Sequence, residues 1–89
     1  MATKRDETIQ AITDLLDSGC YEATQIIGSG NEEPYEGCEQ NILMAMWDDE
    51  TKVEKLASDD PLCRENCNTY RVQFEGFFGV GHIIIWEVE

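Results

Sequence analysis

Residues 70–89 decide the fold, and they read YRVQFEGFFGVGHIIIWEVE. Tyr70, Val72 and Phe74 alternate with polar residues, which is the two-residue period of a half-buried strand. After a glycine-rich segment the chain continues with β-branched and aromatic residues up to Trp86. Two such strands joined through glycines most simply form an antiparallel hairpin. The sequence therefore predicts a sheet that ends in a C-terminal β-hairpin.

At the other end of the chain, residues 4–18 predict an amphipathic helix. Apolar side chains recur at helical spacing on one side, and acidic side chains occupy the opposite side. Thr3 or Asp6 can cap the start of this helix, and Ser18 with Gly19 can end it. Its apolar side consists of Ile9, Ile12, Leu15 and Leu16, with Ala11 beside them.

The segment after this helix has an ambiguous pattern. Residues 20–27 fit either one face of a strand or a short second helix that ends at Gly28, and we favour the helix. Residues 28–34 are rich in turn-forming residues and include Pro34, so they predict a surface loop.

The central part of the chain contains a nearly continuous apolar run. Residues 41–47 predict either a buried strand or a buried helical turn, because their periodicity does not separate the two. Thr51 and Glu54 have the spacing of a helix capping box, which predicts a helix over about residues 50–58. The whole chain, residues 1–89, is expected to form one α+β domain, with the N-terminal helix packed on a small antiparallel sheet.

The charge distribution is the main indication of function. The formal net charge is −13, and twelve carboxylates lie between Asp6 and Thr51 without a single Lys or Arg. The hydrophobic fraction of 42% is too high for a disordered acidic tail. Since mutual repulsion destabilises a folded chain, such a surface favours solubility or a cationic partner. Direct binding of nucleic acid is not expected, because this surface repels phosphates.

The candidate partner-binding residues are acids of the first half and an aromatic pair in the hairpin. Asp14 and Asp17 lie near the end of the predicted helix where negative charge opposes the helix dipole, which favours a role outside the fold. The aromatic pair, between glycines at the expected hairpin tip, either covers the core or forms an exposed anchor. The complete candidate set is Asp14, Asp17, Glu32, Glu33, Glu36, Glu39, Asp48, Asp49, Glu50, Phe77 and Phe78.

The cysteines and the single histidine do not form a recognisable site. Cys20, Cys38, Cys63 and Cys67 are too sparse for a disulfide scaffold, so free buried thiols are expected. Cys63 and Cys67 could share a helical face in a zinc site, but strong zinc motifs contain two close pairs. His82 begins an apolar strand, which is typical of a structural histidine. We predict no metal, no cofactor and no catalytic residues.

Neither secretion nor membrane insertion is expected. Residues 1–7 carry two basic side chains but no apolar segment behind them. No apolar run approaches the roughly 20 residues that a membrane-spanning helix needs. The sequence therefore predicts a cytoplasmic protein.

In size, acidity, α+β build and lack of catalytic motifs, the chain resembles small acidic inhibitors encoded by bacteriophages. These are DNA-mimic proteins, and they include anti-CRISPR and antirestriction proteins. The resemblance rests on residues 6–51 as an acidic face, and it implies occlusion of a basic nucleic-acid-binding surface on a host defence complex. The alternative is a structural or adaptor domain, with or without a stabilising zinc ion, that binds through Phe77, Phe78 and the sheet edge.

Overall fold

The computed structural model describes residues 3–27, 31–35, 37, 39–48, 50–65, 67–76 and 79–88. Within these residues the chain forms two helices and five strands. In chain order they are α1 (Lys4–Ser18), β1 (Tyr21–Ile27), β2 (Asn31–Pro34), α2 (Glu39–Trp47), β3 (Lys52–Lys55), β4 (Thr69–Gly76) and β5 (Gly79–Glu87).

The strands form one antiparallel sheet in the order β2-β1-β5-β4-β3. Strand β5 is therefore central, and the short strands β2 and β3 are the edges. In the β4–β5 pair Gly76 lies opposite Gly79, so the predicted C-terminal hairpin is confirmed. The α+β class is confirmed as well.

Helix α1 begins and ends at the predicted residues. The Thr3 hydroxyl accepts a hydrogen bond from the Asp6 amide at 3.1 Å, and the Asp6 carboxylate accepts one from the Thr3 amide at 3.1 Å. This capping box satisfies two amides that otherwise lack partners. Gly19 ends the helix with φ of 74°, a left-handed conformation that glycine adopts without steric cost.

The core lies between the two helices and one face of the sheet. Ile12 and Leu16 of α1 pack there with Ile42 and Met46 of α2, each pair spaced by one helical turn. Burying one such aliphatic side chain contributes about 1.5–3 kcal/mol. The buried sheet residues in this cluster are Val53, Tyr70, Val72, Ile83 and Ile85.

The opposite side of the sheet, here called the far face, includes Thr24, Arg71, Ile84 and Trp86. Thr24 and Ile84 are buried although no helix covers them. Arg64, in the connection between β3 and β4, lies across this face, with its guanidinium 4.3 Å from the centre of the Trp86 ring. The sheet is thus covered on both sides by different parts of the chain.

Of the two alternatives for residues 20–27, the favoured helix is wrong, because Tyr21–Ile27 forms strand β1. Pairing with the central strand β5 along the whole of β1 satisfies its backbone groups. The side chains then alternate, so that Ala23 faces the helices and Thr24 the far face. Such alternation over seven residues is too short to exclude a helix from sequence alone.

The predicted loop over residues 28–34 contains strand β2. Asn31–Pro34 pairs with β1, and the Thr24 hydroxyl donates a hydrogen bond to the Glu33 carbonyl at 2.7 Å. Proline is tolerated in this position because β2 is an edge strand. The turn-forming residues of this segment indicated a loop, although four of its residues form strand β2.

The predicted helix over residues 50–58 is also wrong, because Lys52–Lys55 forms strand β3. Val53 pairs with Val72 in β4, and Glu54 pairs with Arg71. These cross-strand contacts replace the local capping box that the spacing of Thr51 and Glu54 indicated. By contrast, the apolar run over 41–47 lies in a helix, α2.

Candidate protein-binding surface

The two helices lie side by side and antiparallel on the sheet, and together they are called the helical layer. At one end, Arg5 of α1 reaches the C-terminal end of α2. At the other end, Tyr21, just after α1, donates a hydrogen bond from its hydroxyl to the Glu39 carboxylate at 2.7 Å. Glu39 is the first residue of α2. These contacts align the start of α1 with the end of α2, and the end of α1 with the start of α2.

Arg5 is the cation that stabilises the end of α2. Its guanidinium donates hydrogen bonds to the carbonyls of Met46 at 3.1 Å, Asp48 at 2.8 Å and Thr51 at 3.0 and 3.2 Å. Helix α2 has no basic residue in its own last turn. A positive charge there satisfies free carbonyls and opposes the negative end of the helix dipole. Arg5 is therefore part of the fold, and among the described residues it forms no ion pair with a carboxylate.

The outer side of α1 carries a row of exposed carboxylates. Asp6, Asp14 and Asp17 lie on this side with Glu7, and all four are exposed. With a rise of 1.5 Å per residue, the row from Asp6 to Asp17 is about 16 Å long. Hydrogen bonds from the amide and hydroxyl of Thr3 lower the pKa of Asp6, so it is fully ionised at neutral pH.

Helix α2 adds exposed acids at both of its ends. Glu39 lies at the start of α2. Burial of the Tyr21 ring, together with its hydrogen bond to Glu39, raises the pKa of Tyr21 to about 12. Asp48 and Glu50 follow the last turn, where the Asp48 carboxylate accepts a hydrogen bond from the Glu50 amide at 2.9 Å. Both ends of the helical layer therefore carry negative charge.

The ion pairs lie elsewhere. On the far face Arg64 pairs with Glu32, and Arg71 pairs with Glu54. Among the residues that the structure describes, no ion pair involves a carboxylate of α1 or α2. The carboxylates of the helical layer thus face the solvent without ion pairs among the described residues, while Arg64 and Arg71 form ion pairs on the opposite side of the sheet.

The structure brings only some of the predicted partner-binding residues together. Glu32 and Glu33 are adjacent in β2 and point to opposite sides of the sheet, and Glu32 is already paired with Arg64. The residues gathered on the helical layer are Asp14, Asp17, Glu39, Asp48 and Glu50. Glu36, Asp49, Phe77 and Phe78 lie outside the described residues.

Sequence reasoning missed two exposed apolar residues of α2, Met44 and Trp47. Their side chains are 59% and 76% exposed. They lie three residues apart on the outer side of α2, whereas Ile42 and Met46 face the core. The run over 41–47 is apolar at almost every position, so it gave no periodicity. Only its flanking polar residues, including the exposed Gln40, indicate which side faces the solvent.

A groove of about 770 Å³ runs between α2 and the nearby edge of the sheet. Met44 and Ala45 form its apolar part, and carboxylates of Asp48 and Glu50 lie at its border. Lys52 of β3 is the one cation among its lining residues. The groove therefore places apolar surface directly beside negative charge.

The histidine and the cysteines lie outside this surface. On the far face, burial and the neighbouring Arg71 lower the pKa of His82, so its ring is neutral at pH 7. Its Nδ1 atom is buried without a hydrogen-bond partner among the described residues. A neutral imidazole can be buried on the sheet at lower cost than a charged one.

The cysteines of the described residues are free thiols. Cys63 and Cys67 are half-buried, but Cys20 is exposed, so the prediction of a buried thiol is wrong there. It follows the helix-ending Gly19 at the surface, before β1 begins. Cys38 lies outside the described residues. In the part of the chain that is described, no three residues of the types His, Cys, Asp or Glu are grouped to hold a metal ion.

Comparisons with protein-family models, with curated proteins and with solved structures find no match to this chain. Neither of the two described helices is long and apolar enough to cross a membrane.

Proposed function

We propose that this protein is a non-enzymatic acidic binding protein, which occludes a basic nucleic-acid-binding surface of a target protein. The observation that carries the proposal is the separation of charges described above. Carboxylates of the helical layer are exposed and without ion pairs among the described residues, while Arg64 and Arg71 are paired on the far face. A surface that served solubility alone would mix charges of both signs.

The physical basis of binding is electrostatic. Duplex DNA presents about one negative charge per 1.7 Å of its axis, and its protein partners offer Lys and Arg in a matching groove. The acid row of α1, with the acids at both ends of α2, offers negative charge to such a groove from a rigid support. Long-range attraction accelerates association, and the resulting complex weakens as salt increases. Occlusion of this kind is what the resemblance to phage-encoded anti-CRISPR and antirestriction inhibitors implies.

The test is an affinity capture from nuclease-treated bacterial lysate, with bound proteins identified by mass spectrometry at low and high salt. The test variant is Asp14→Asn, Asp17→Asn and Glu50→Gln, which neutralises three acids of the helical layer. The matched control is Glu22→Gln, Asp59→Asn and Glu65→Gln, which removes the same charge from exposed acids outside the helices.

We expect the wild-type protein and the control to retain basic nucleic-acid-binding proteins at low salt and to release them at high salt. The test variant should retain far less. Equal capture by the two triple variants would overturn the proposal, because net charge and not the helical layer would then determine binding. Failure of the wild-type protein to capture any basic protein at low salt would overturn it as well.

A further inference from the structure

Met44 and Trp47, here called the apolar anchor, are a surface that the fold does not use. Residues three apart on a helix lie on the same side, so the two side chains form one exposed patch, and Met44 also lines the groove. Large aromatic side chains that project from a rigid helix are the type that concentrates binding energy in protein interfaces. An exposed Trp one helical turn from Met44, which lines the groove, therefore indicates contact with a protein rather than with bulk water.

The charge near the apolar anchor indicates which class of partner can bind there. Asp48 and Glu50 line the groove, and Lys52 is the one cation among its lining residues. Because Arg5 already opposes the negative end of the α2 dipole, the attraction for a cation comes from these carboxylates and from the net charge of the chain. A second copy of this chain carries the same net charge of −13, so long-range repulsion opposes its approach. Nucleic acid and anionic membranes would also bring negative charge to negative charge. A cationic protein segment is the occupant that complements both the apolar and the acidic parts.

We propose that the apolar anchor and the groove bind an amphipathic, Arg- or Lys-rich segment of the partner protein. This inference rests on the proposed function, in which the helical layer meets a basic surface. It adds that recognition includes a salt-independent apolar contact at Trp47. The binding partner must then carry apolar side chains between its basic ones, so a uniformly cationic surface is not sufficient.

The chain contains an internal example of the expected contact. The Arg64 guanidinium lies 4.3 Å from the centre of the Trp86 ring, a cation–π arrangement. Trp47 offers an equivalent ring to the solvent, with Asp48 next to it in sequence. A partner Arg placed over Trp47 would meet both the ring and a nearby carboxylate. Apolar side chains one helical turn away would contact Met44.

The experiment uses two synthetic peptides of about 18 residues with equal charge. One places Leu on one helical face and Arg on the other, and the second replaces every Leu with Ser. Affinities for the full chain are measured by calorimetry at several salt concentrations, and NMR follows the Trp47 indole N–H. The variants are Trp47→Ala, the double variant Asp48→Asn with Glu50→Gln, and the control Gln40→Ala on the same exposed side of α2.

We expect the Leu/Arg peptide to bind wild-type protein at least about tenfold more tightly than the Ser/Arg peptide. Trp47→Ala should remove this difference without changing the salt dependence, and the double variant should reduce the salt dependence. Gln40→Ala should leave both unchanged. Since Trp47 is mostly exposed, its replacement should not unfold the chain, which circular dichroism verifies.

Three other outcomes overturn the inference. If Trp47→Ala leaves the affinities for both peptides unchanged while binding remains salt-sensitive, the proposed role of the apolar anchor is wrong and the proposed function stands. If neither peptide binds in a salt-sensitive manner, the proposed function fails together with this inference. If sedimentation shows a dimer that Trp47→Ala converts to a monomer, the occupant is a second copy and not a cationic partner.

Discussion

Arg5 shows how one side chain of α1 stabilises the end of α2. Replacement by Ala removes four hydrogen bonds to carbonyls at and after the end of α2. Because these bonds involve a charged donor and are partly buried, we expect the free energy of unfolding to fall by about 2–3 kcal/mol. Urea denaturation measures this change. The neighbouring Lys4 is exposed, so Lys4→Ala should change stability by no more than about 0.5 kcal/mol. Similar values for the two variants would contradict this role of Arg5.

His82 makes stability depend on pH. Burial and Arg71 lower the pKa of His82 below the ordinary histidine value of about 6.5, and the nearby Glu54 partly offsets this effect. The unfolded chain therefore binds a proton at a higher pH than the folded chain does. As pH falls below about 6.5, the free energy of unfolding decreases until the lower folded-state pKa is passed.

The corresponding measurement is urea denaturation at pH 7.5 and pH 5.5. His82→Gln should show a smaller decrease between these two conditions than the wild-type protein shows. Carboxylates contribute to both proteins alike, so the difference between them isolates the histidine. A decrease of the same size in both would mean that protonation of His82 is not coupled to folding.

Helix α1 carries acids at both ends, and only those at its start suit the helix dipole. Asp6 belongs to the capping box, whereas Asp17 lies in the last turn, where α1 has no basic residue. We expect Asp17→Asn to raise the free energy of unfolding by about 0.5 kcal/mol, and Asp6→Asn to lower it. Chemical denaturation at low salt gives both values. A stabilising effect of Asp6→Asn would contradict the capping geometry.

The elements differ in how well sequence predicts them. Helix α1 was predictable because fifteen residues hold one periodicity between clear end signals. Strands β1 and β3 were not, since short segments gain most of their stability from distant partners. Glu54 illustrates this: its spacing from Thr51 fits a helix cap, yet its carboxylate pairs with Arg71 across two strands.

The candidate site was predictable only in part, for the same reason. Periodicity of α1 already placed Asp14 and Asp17 on its outer side. The sequence could not show that Glu32 and Glu33 point to opposite faces of the sheet. That arrangement depends on strand β2, which the local sequence pattern did not predict. Exposure of Trp47 depended on how α2 packs on the sheet. The apolar anchor is therefore a product of tertiary packing.

For the molecule as a whole, the excess of negative charge opposes folding. Salt screens interactions between exposed charges, with a Debye length that falls from about 10 Å at 0.1 M to about 3 Å at 1 M. We expect the melting temperature of the free protein to rise by roughly 4–8 °C between low and high salt, which corresponds to about 1 kcal/mol. Calorimetry or a circular dichroism melt measures this rise.

The matched comparison for the salt effect is the variant with Asp14, Asp17 and Glu50 neutralised. Its melting temperature should be higher at low salt and should rise less as salt is added, because fewer charges repel one another. Binding to the basic partner should change in the opposite direction. A melting temperature that falls with added salt would contradict the view that repulsion among surface acids limits stability.

The central position of β5 has a consequence for synthesis on the ribosome. Strand β5 pairs with β1 and β4, yet it is the last of the seven elements to be made. The sheet therefore forms through contacts between residues that are far apart in the sequence. Because such contacts form slowly, we expect the chain to fold slowly. Until β5 is made, β1 has only the short strand β2 beside it, so its other edge stays open to pairing with another chain. We expect repulsion among the twelve carboxylates between Asp6 and Thr51 to reduce such association of nascent chains.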